Sequence, residues 1–210
     1  MSEMFPWISH LGPVHLCYQQ ISRFYGDRRA ARSGVRLMNH IDEGLIILHE
    51  LKASEWAQAA YCLHPMVQDD QELAKFYKGQ CERCHLALTT TGPFAEVIPA
   101  VVLALEYRRL ANSYLSSGPF NYEQMAQQMA QTLARMPLPE VRIMLIADKV
   151  QNRKDFERYH WATHPRSAEL EQYFANWMQL LGISELQYAH WCSKINKPQR
   201  KDADSSYIEQ

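Results

Sequence analysis

Asn39-His40-Ile41-Asp42-Glu43-Gly44-Leu45-Ile46-Ile47-Leu48-His49-Glu50-Leu51 carries its apolar residues at helical spacing. Ile41, Leu45, Leu48 and Leu51 fall on one stripe. The segment reads as an amphipathic helix that starts at Asn39 or His40 and ends at Leu51. Ser54 then has the chemistry of an N-cap, and a second helix follows through Trp56, Ala60 and Leu63. Pro65 comes next. Proline disfavours helical geometry at the residue before it, so the pattern predicts a helix end at His64. Pro65 suits the first turn of a further helix, Met66 to Tyr77.

The same period extends in both directions. Val14, Cys17, Tyr18, Ile21 and Tyr25 recur at helix spacing before Gly26. Beyond the Gly92-Pro93 break, a long helix is predicted from Phe94 to Leu115, ended by Ser116-Ser117-Gly118-Pro119. Another follows from near Asn121 to Arg135. Pro137 and Pro139 bracket a linker, and the next helix spans Pro139 to Trp161. His164-Pro165 breaks the pattern. Ser167 to Leu181 is helical up to Gly182, and Ser184 to Trp191 forms the last helix. The most strand-like piece, Leu86 to Thr91, is short. From Ser193 the chain turns polar and charged, which predicts a flexible tail. The expectation is an all-α fold, with one helical domain over residues 1–192 and a tail over 193–210.

Bulk properties narrow the function. Of 210 residues, 47% are apolar and the formal net charge is −1, so no overall field draws the chain to nucleic acid or an acidic membrane. Arg28-Arg29-Ala30-Ala31-Arg32 is a local basic run, read either as a solvated helix end or as a phosphate contact. The amino-terminal residues lack a secretory pattern. No apolar run approaches the roughly 18 residues that span a bilayer. The five cysteines are odd in number and unevenly spaced, which fits free thiols in a reducing compartment. A cytoplasmic protein is expected.

Chemistry gathers at His40, His64 and Asp148. Two imidazoles and a carboxylate suit Mn²⁺, Fe²⁺ or Zn²⁺. Such an ion lowers the pKa of bound water and polarises a phosphoryl oxygen. With nine histidines in the chain some pairing is expected by chance, so the sequence around each residue has to decide. Arg32-Ser33-Gly34 precedes His40, and His64 lies 24 residues after His40. Asp148 stands in Ala147-Asp148-Lys149-Val150-Gln151-Asn152, where Asn152 shares its helical face.

In their order and spacing, these three motifs resemble the HD-domain phosphohydrolases, most closely the hydrolase domain of the RelA/SpoT alarmone enzymes, over residues 13 to 160. The resemblance implies an HD-type helical bundle with a divalent metal, manganese foremost and iron or zinc next, held by His40, His64 and Asp148. It implies that Asn152 meets a ribose and that Arg32 and Ser33 meet a base or phosphate. Arg32 is one position away from the family's arginine. From their own chemistry, Lys149, Arg153 and Lys154 with the His160–Ser167 segment read either as phosphate contacts or as a loop and a solvated face.

The chain also departs from the family. Pro65 stands where the family has a ligating aspartate, and its Glu-Asp pair reads Gln68-Asp69. Gln68 cannot take a proton from water, which leaves Asp69 to orient or activate it. Two readings stay open. One is a metal-dependent phosphohydrolase acting on a nucleotide or other phosphorylated small molecule. The other is a catalytically silent domain that binds a nucleotide or a protein partner. Neither calls for nucleic acid or a membrane, and oligomeric state is open.

Two further clusters carry less. Cys81-Glu82-Arg83-Cys84-His85 matches a haem-attachment pattern, but no export signal accompanies it and no second Cys-x-x-Cys completes a zinc site, so it reads as a chance match. Glu106, Arg108, Arg109 and Asn112 read either as the polar side of a core helix or as a face whose arginines grip phosphate.

Overall fold

The computed structural model describes residues 5–9, 12–86, 97–111, 127, 129–131 and 138–195. These residues form an all-α bundle with no strand among them; a lone antiparallel bridge, Arg29 to Arg36, closes the loop ahead of the second helix. The helices are α1 (Pro13–Tyr25), α2 (Met38–Glu50), α3 (Glu55–Val67), α4 (Asp70–Leu86), α5 (Ile98–Ala111), α6 (Pro139–Asp155), α7 (Ser167–Leu181) and α8 (Glu185–Ile195). A π-helical turn, Phe156–His160, extends α6. Among the described residues no helix is long and apolar enough to cross a membrane.

α3 is the axis of the bundle. The Ser54 hydroxyl accepts from Ala57 N at 3.2 Å and caps it. Every residue from Ala57 to His64 is buried, because α1 and α5 pack along α3 while α2 and α6 close on it. Gly44 lets α2 come near. A Cβ there would lie 2.2 Å from the Tyr61 ring, so the missing side chain is what seats that phenol between α2 and α3.

The helix end expected at His64 is corrected by the structure: α3 runs on through Pro65 to Val67. An interior proline costs about 3 kcal/mol, partly through the backbone bond it cannot donate to the carbonyl four residues back. Here that carbonyl, Tyr61 O, is met by His64 Nδ1 at 2.6 Å. Burial on all sides of α3 holds the helix together past the proline. α4 accordingly starts at Asp70 rather than Met66, and it continues to Leu86 rather than stopping at Tyr77.

Other boundaries shift less. α7 ends at Gly182 in the left-handed region (φ 71°), as the sequence predicts. The described part of the long central helix is Ile98–Ala111. Residues 127 and 129–131 are helical; the rest of the helix expected from Asn121 to Arg135 lies outside the described residues, as does the strand-like 87–91. The helix expected to run to Trp161 leaves α geometry at Phe156, where the wider turn buries Phe156 and brings Glu157 to the Tyr188 hydroxyl (2.6 Å). α8 extends to the buried Ile195, so 193–195 belong to the bundle, and 196–210 lie outside the described residues.

Candidate metal centre

Three helices deliver three donor atoms to one point. His40 enters from the first turn of α2, His64 from the last turns of α3 and Asp148 from the middle of α6. The two Nε2 atoms lie 3.2 Å apart. Asp148 Oδ1 is 3.5 Å from His40 Nε2 and 3.9 Å from His64 Nε2. A triangle with those sides has a circumradius of about 2.1 Å, which matches the usual distance from a divalent transition metal to nitrogen and carboxylate oxygen. These residues could hold a metal ion without moving.

The far nitrogens of both rings explain why the near ones converge. His64 Nδ1 donates to Tyr61 O. His40 Nδ1 lies 2.6 Å from Gln151 Oε1. The Gln151 amide is oriented by its other end, where Nε2 donates to Glu43 Oε2 (3.1 Å) and Asp155 Oδ2 (2.8 Å). With carboxylates fixing the NH₂ side, Oε1 must face His40 and accept. Each imidazole thus carries its proton on Nδ1 and turns a bare Nε2 inward. Two lone pairs and a carboxylate oxygen this close repel unless a cation lies among them, either a proton or a metal ion.

Electrostatics agree with a cation-seeking site. Burial, with His40 and Lys149 nearby, lowers the pKa of His64 to about 3, against the pull of Asp148; it is neutral at ordinary pH. Burial alone would raise the Asp148 carboxyl, but Lys149, His40 and His64 outweigh it and hold the group below the usual carboxylate range. Burial alone would lower Lys149, and the Asp148 charge and Tyr173 overcome that. Tyr61 stacks on His40 with 5.6 Å between centroids, and Tyr107 packs against His64 at 4.9 Å. Burial, with the Asp148 charge beside them, keeps both phenols protonated.

The donors open on one side into a cavity of about 280 Å³. His40 is 20% exposed there, while His64 and Asp148 are nearly sealed. Tyr25, Ser33, Arg36, Gln68, Asn152 and Asp155 contribute to its walls. Of the residues singled out in the sequence, His40, His64 and Asp148 meet at the centre, and Ser33, Gln68 and Asn152 line the cavity.

The others stand elsewhere. Asp69 is exposed and its Oδ1 accepts from Glu72 N at 2.8 Å, capping α4 instead of facing the cavity. Arg32 is exposed and outside the lining; Arg36, one turn of loop later, takes a place in the wall. Lys149 is buried behind Asp148, with Nζ 2.9 Å from Oδ2 and 5.2 Å from the Trp177 ring centroid. Arg153 points to α8, where it grips Glu185 (2.7 Å) and covers the Tyr188 ring. Lys154 pairs with the buried Glu43. Lys149, Arg153 and Lys154 are therefore spent inside the protein and do not reach a ligand in the cavity. Arg108 ties α5 to the start of α4 through Gln68 O (3.1 Å) and Asp70.

Tyr61, Gln151 and Glu43 were not singled out in the sequence. A signal was present. Each lies three residues from a donor on the same helix (Tyr61 from His64, Gln151 from Asp148, Glu43 from His40), the spacing that puts side chains on one face. Comparison with protein-family models, with curated proteins and with solved structures gives no match to this chain.

Proposed function

We propose that the protein is a divalent-metal-dependent phosphohydrolase acting on a nucleotide or another small phosphorylated molecule, possible metals being manganese, iron and zinc. The observation that carries this reading is the donor triangle: two bare imidazole nitrogens and one carboxylate oxygen, all about 2.1 Å from a common point and open to a polar cavity on one side. Three protein donors with an open position are the arrangement of a catalytic rather than a purely structural ion. Such an ion supplies Lewis acidity toward a phosphoryl oxygen and lowers the pKa of water. Around it, Arg36, whose pairing with the fully exposed Asp27 is long at 3.4 Å, offers a planar cation to phosphate, and Ser33 and Asn152 offer hydrogen bonds to a sugar or phosphate. Asp155 is the carboxylate of the cavity wall besides Asp148; it would take a proton only by giving up its contact with Gln151 (2.8 Å) or Lys154 (3.0 Å).

A second reading has its own support. Gln68 is neutral and Asp69 is turned away to cap α4, so neither serves as a base in the cavity. Under that reading the domain binds a nucleotide or a protein partner without turnover, with or without a metal. The first experiment is elemental mass spectrometry on the purified protein after incubation with Mn²⁺, beside His64→Ala and Asp148→Ala. The proposal expects close to one metal per chain, lost in both variants, and metal-dependent release of phosphate or pyrophosphate from a nucleotide panel. Metal without turnover would select the binding reading. No metal in any sample would refute the phosphohydrolase and leave the silent-domain reading.

A further inference from the structure

The two Nε2 atoms face each other only while each ring keeps its proton on the far nitrogen. In water, a neutral imidazole ordinarily prefers the opposite tautomer. Something must hold His64 in the less common form, and α3 contains it. In a regular helix Tyr61 O accepts the backbone N–H of the fourth residue on. That residue is Pro65, which has none. The carbonyl is left for His64 Nδ1, 2.6 Å away, in a buried setting with no water to compete.

We propose that Pro65 is a positioning residue: by withholding a backbone N–H from Tyr61 O, it reserves that carbonyl for His64 Nδ1–H and turns the bare Nε2 toward His40 and Asp148. Gln151 does the same for His40 from α6, its amide oriented by Glu43 and Asp155. The two rings are set by independent devices on different helices. The purpose assigned to this arrangement rests on the metal-site reading; the arrangement itself can be read without metal.

The test is Pro65→Ala, which returns the N–H. Alanine is the better helix residue, so the variant folds and its denaturation midpoint rises. In the chelated protein, long-range ¹⁵N–¹H spectra of the histidine rings report the tautomers. Wild type shows Nδ1–H for both His40 and His64. Pro65→Ala moves His64 toward Nε2–H and leaves His40 unchanged, because Gln151 still holds it. Titration with Mn²⁺ or Zn²⁺ then gives an affinity about 10- to 100-fold weaker than wild type, the usual size of an outer-shell loss.

A more stable protein that binds metal less well is not what a purely structural proline would give. A carbonyl has two lone pairs and could accept from both donors. If His64 keeps Nδ1–H in Pro65→Ala and affinity stays within twofold, the proposal is overturned. If wild type has both tautomers as stated and Pro65→Ala loses one, yet neither protein takes up metal, the positioning role stands and the metal reading fails.

Discussion

Asp42→Asn should convert a stability that is flat with pH into one that falls as pH falls. Asp42, at the start of α2, accepts from the Tyr18 hydroxyl of α1 at 2.7 Å. Burial pushes its carboxyl up to about 6, with Glu43 adding to the rise, against the Tyr18 hydrogen bond and Arg36. His64 moves the other way, down to about 3, because burial disfavours the imidazolium.

As pH falls below 6.5 the unfolded chain protonates its histidine and native His64 does not, so stability is lost down to the folded value. Below about 6 native Asp42 takes a proton that the unfolded aspartate refuses until 3.8, so stability is gained. Each effect amounts to about 1.4 kcal/mol per pH unit, with opposite sign. Between pH 6 and 4.5 they largely cancel. Asparagine keeps an acceptor for Tyr18 and removes the gain. The variant should therefore lose about 2 kcal/mol across that window while wild type changes little. Urea denaturation followed by circular dichroism, with chelator and fixed ionic strength, measures both. A variant as flat as wild type, or a wild type that already falls at the full slope, would refute the assignment.

Gly44→Ala gains helix propensity but drives a Cβ into Tyr61; a net loss of about 1–3 kcal/mol is expected, with weaker metal uptake because Tyr61 packs on both histidine rings. Paired thermal melts and metal titrations check it, and an undisturbed protein would count against the close fit. Lys149→Met leaves Asp148 buried without its ammonium, so the chelated protein should lose about 3–5 kcal/mol, and Mn²⁺ should stabilise the variant more than wild type. Asp69→Ala should cost about 1 kcal/mol as a lost cap and leave metal affinity unchanged; a drop in affinity would return Asp69 to the site.

The class of the fold was legible because the apolar residues of α1 and α2 repeat with a helical period and the caps are orthodox, Ser54 before α3 and Gly182 after α7. Pro65 was read by its local preference alone. Tertiary burial of α3 overrode that preference, and no local rule contains the burial. That His40, His64 and Asp148 come together was legible in the order and spacing of the motifs around them; residue type alone, with nine histidines, would not have selected them. The cations could not be placed. Lys149 follows Asp148 directly and so leaves the ligand face by about a quarter turn, and whether it then meets solvent or Trp177 depends on α7, some thirty residues later. Asp69 looked like a base because it is a carboxylate near His64, but the start of α4 one residue on makes it a cap.

Charge around the centre constrains what the cavity can accept. Asp148 is balanced by Lys149, and both histidine rings turn uncharged nitrogens inward. Behind His40, Glu43 and Asp155 share one ammonium, Lys154, which leaves a single negative charge. A divalent ion at the donor triangle would turn that local balance positive; Arg36 on the wall is already paired with Asp27 (3.4 Å) and adds no net charge. A cation would then be repelled, and a neutral ligand would gain little from so many fixed charges. An anion would gain from each of them in a recess where screening is weak. Lys149 has a cost as well: by neutralising Asp148 it weakens the one charged donor the metal has. The same ammonium that lowers affinity for the ion leaves the loaded site more positive. Phosphate and metal should therefore each strengthen the binding of the other, since coupling between two ligands on one site is reciprocal.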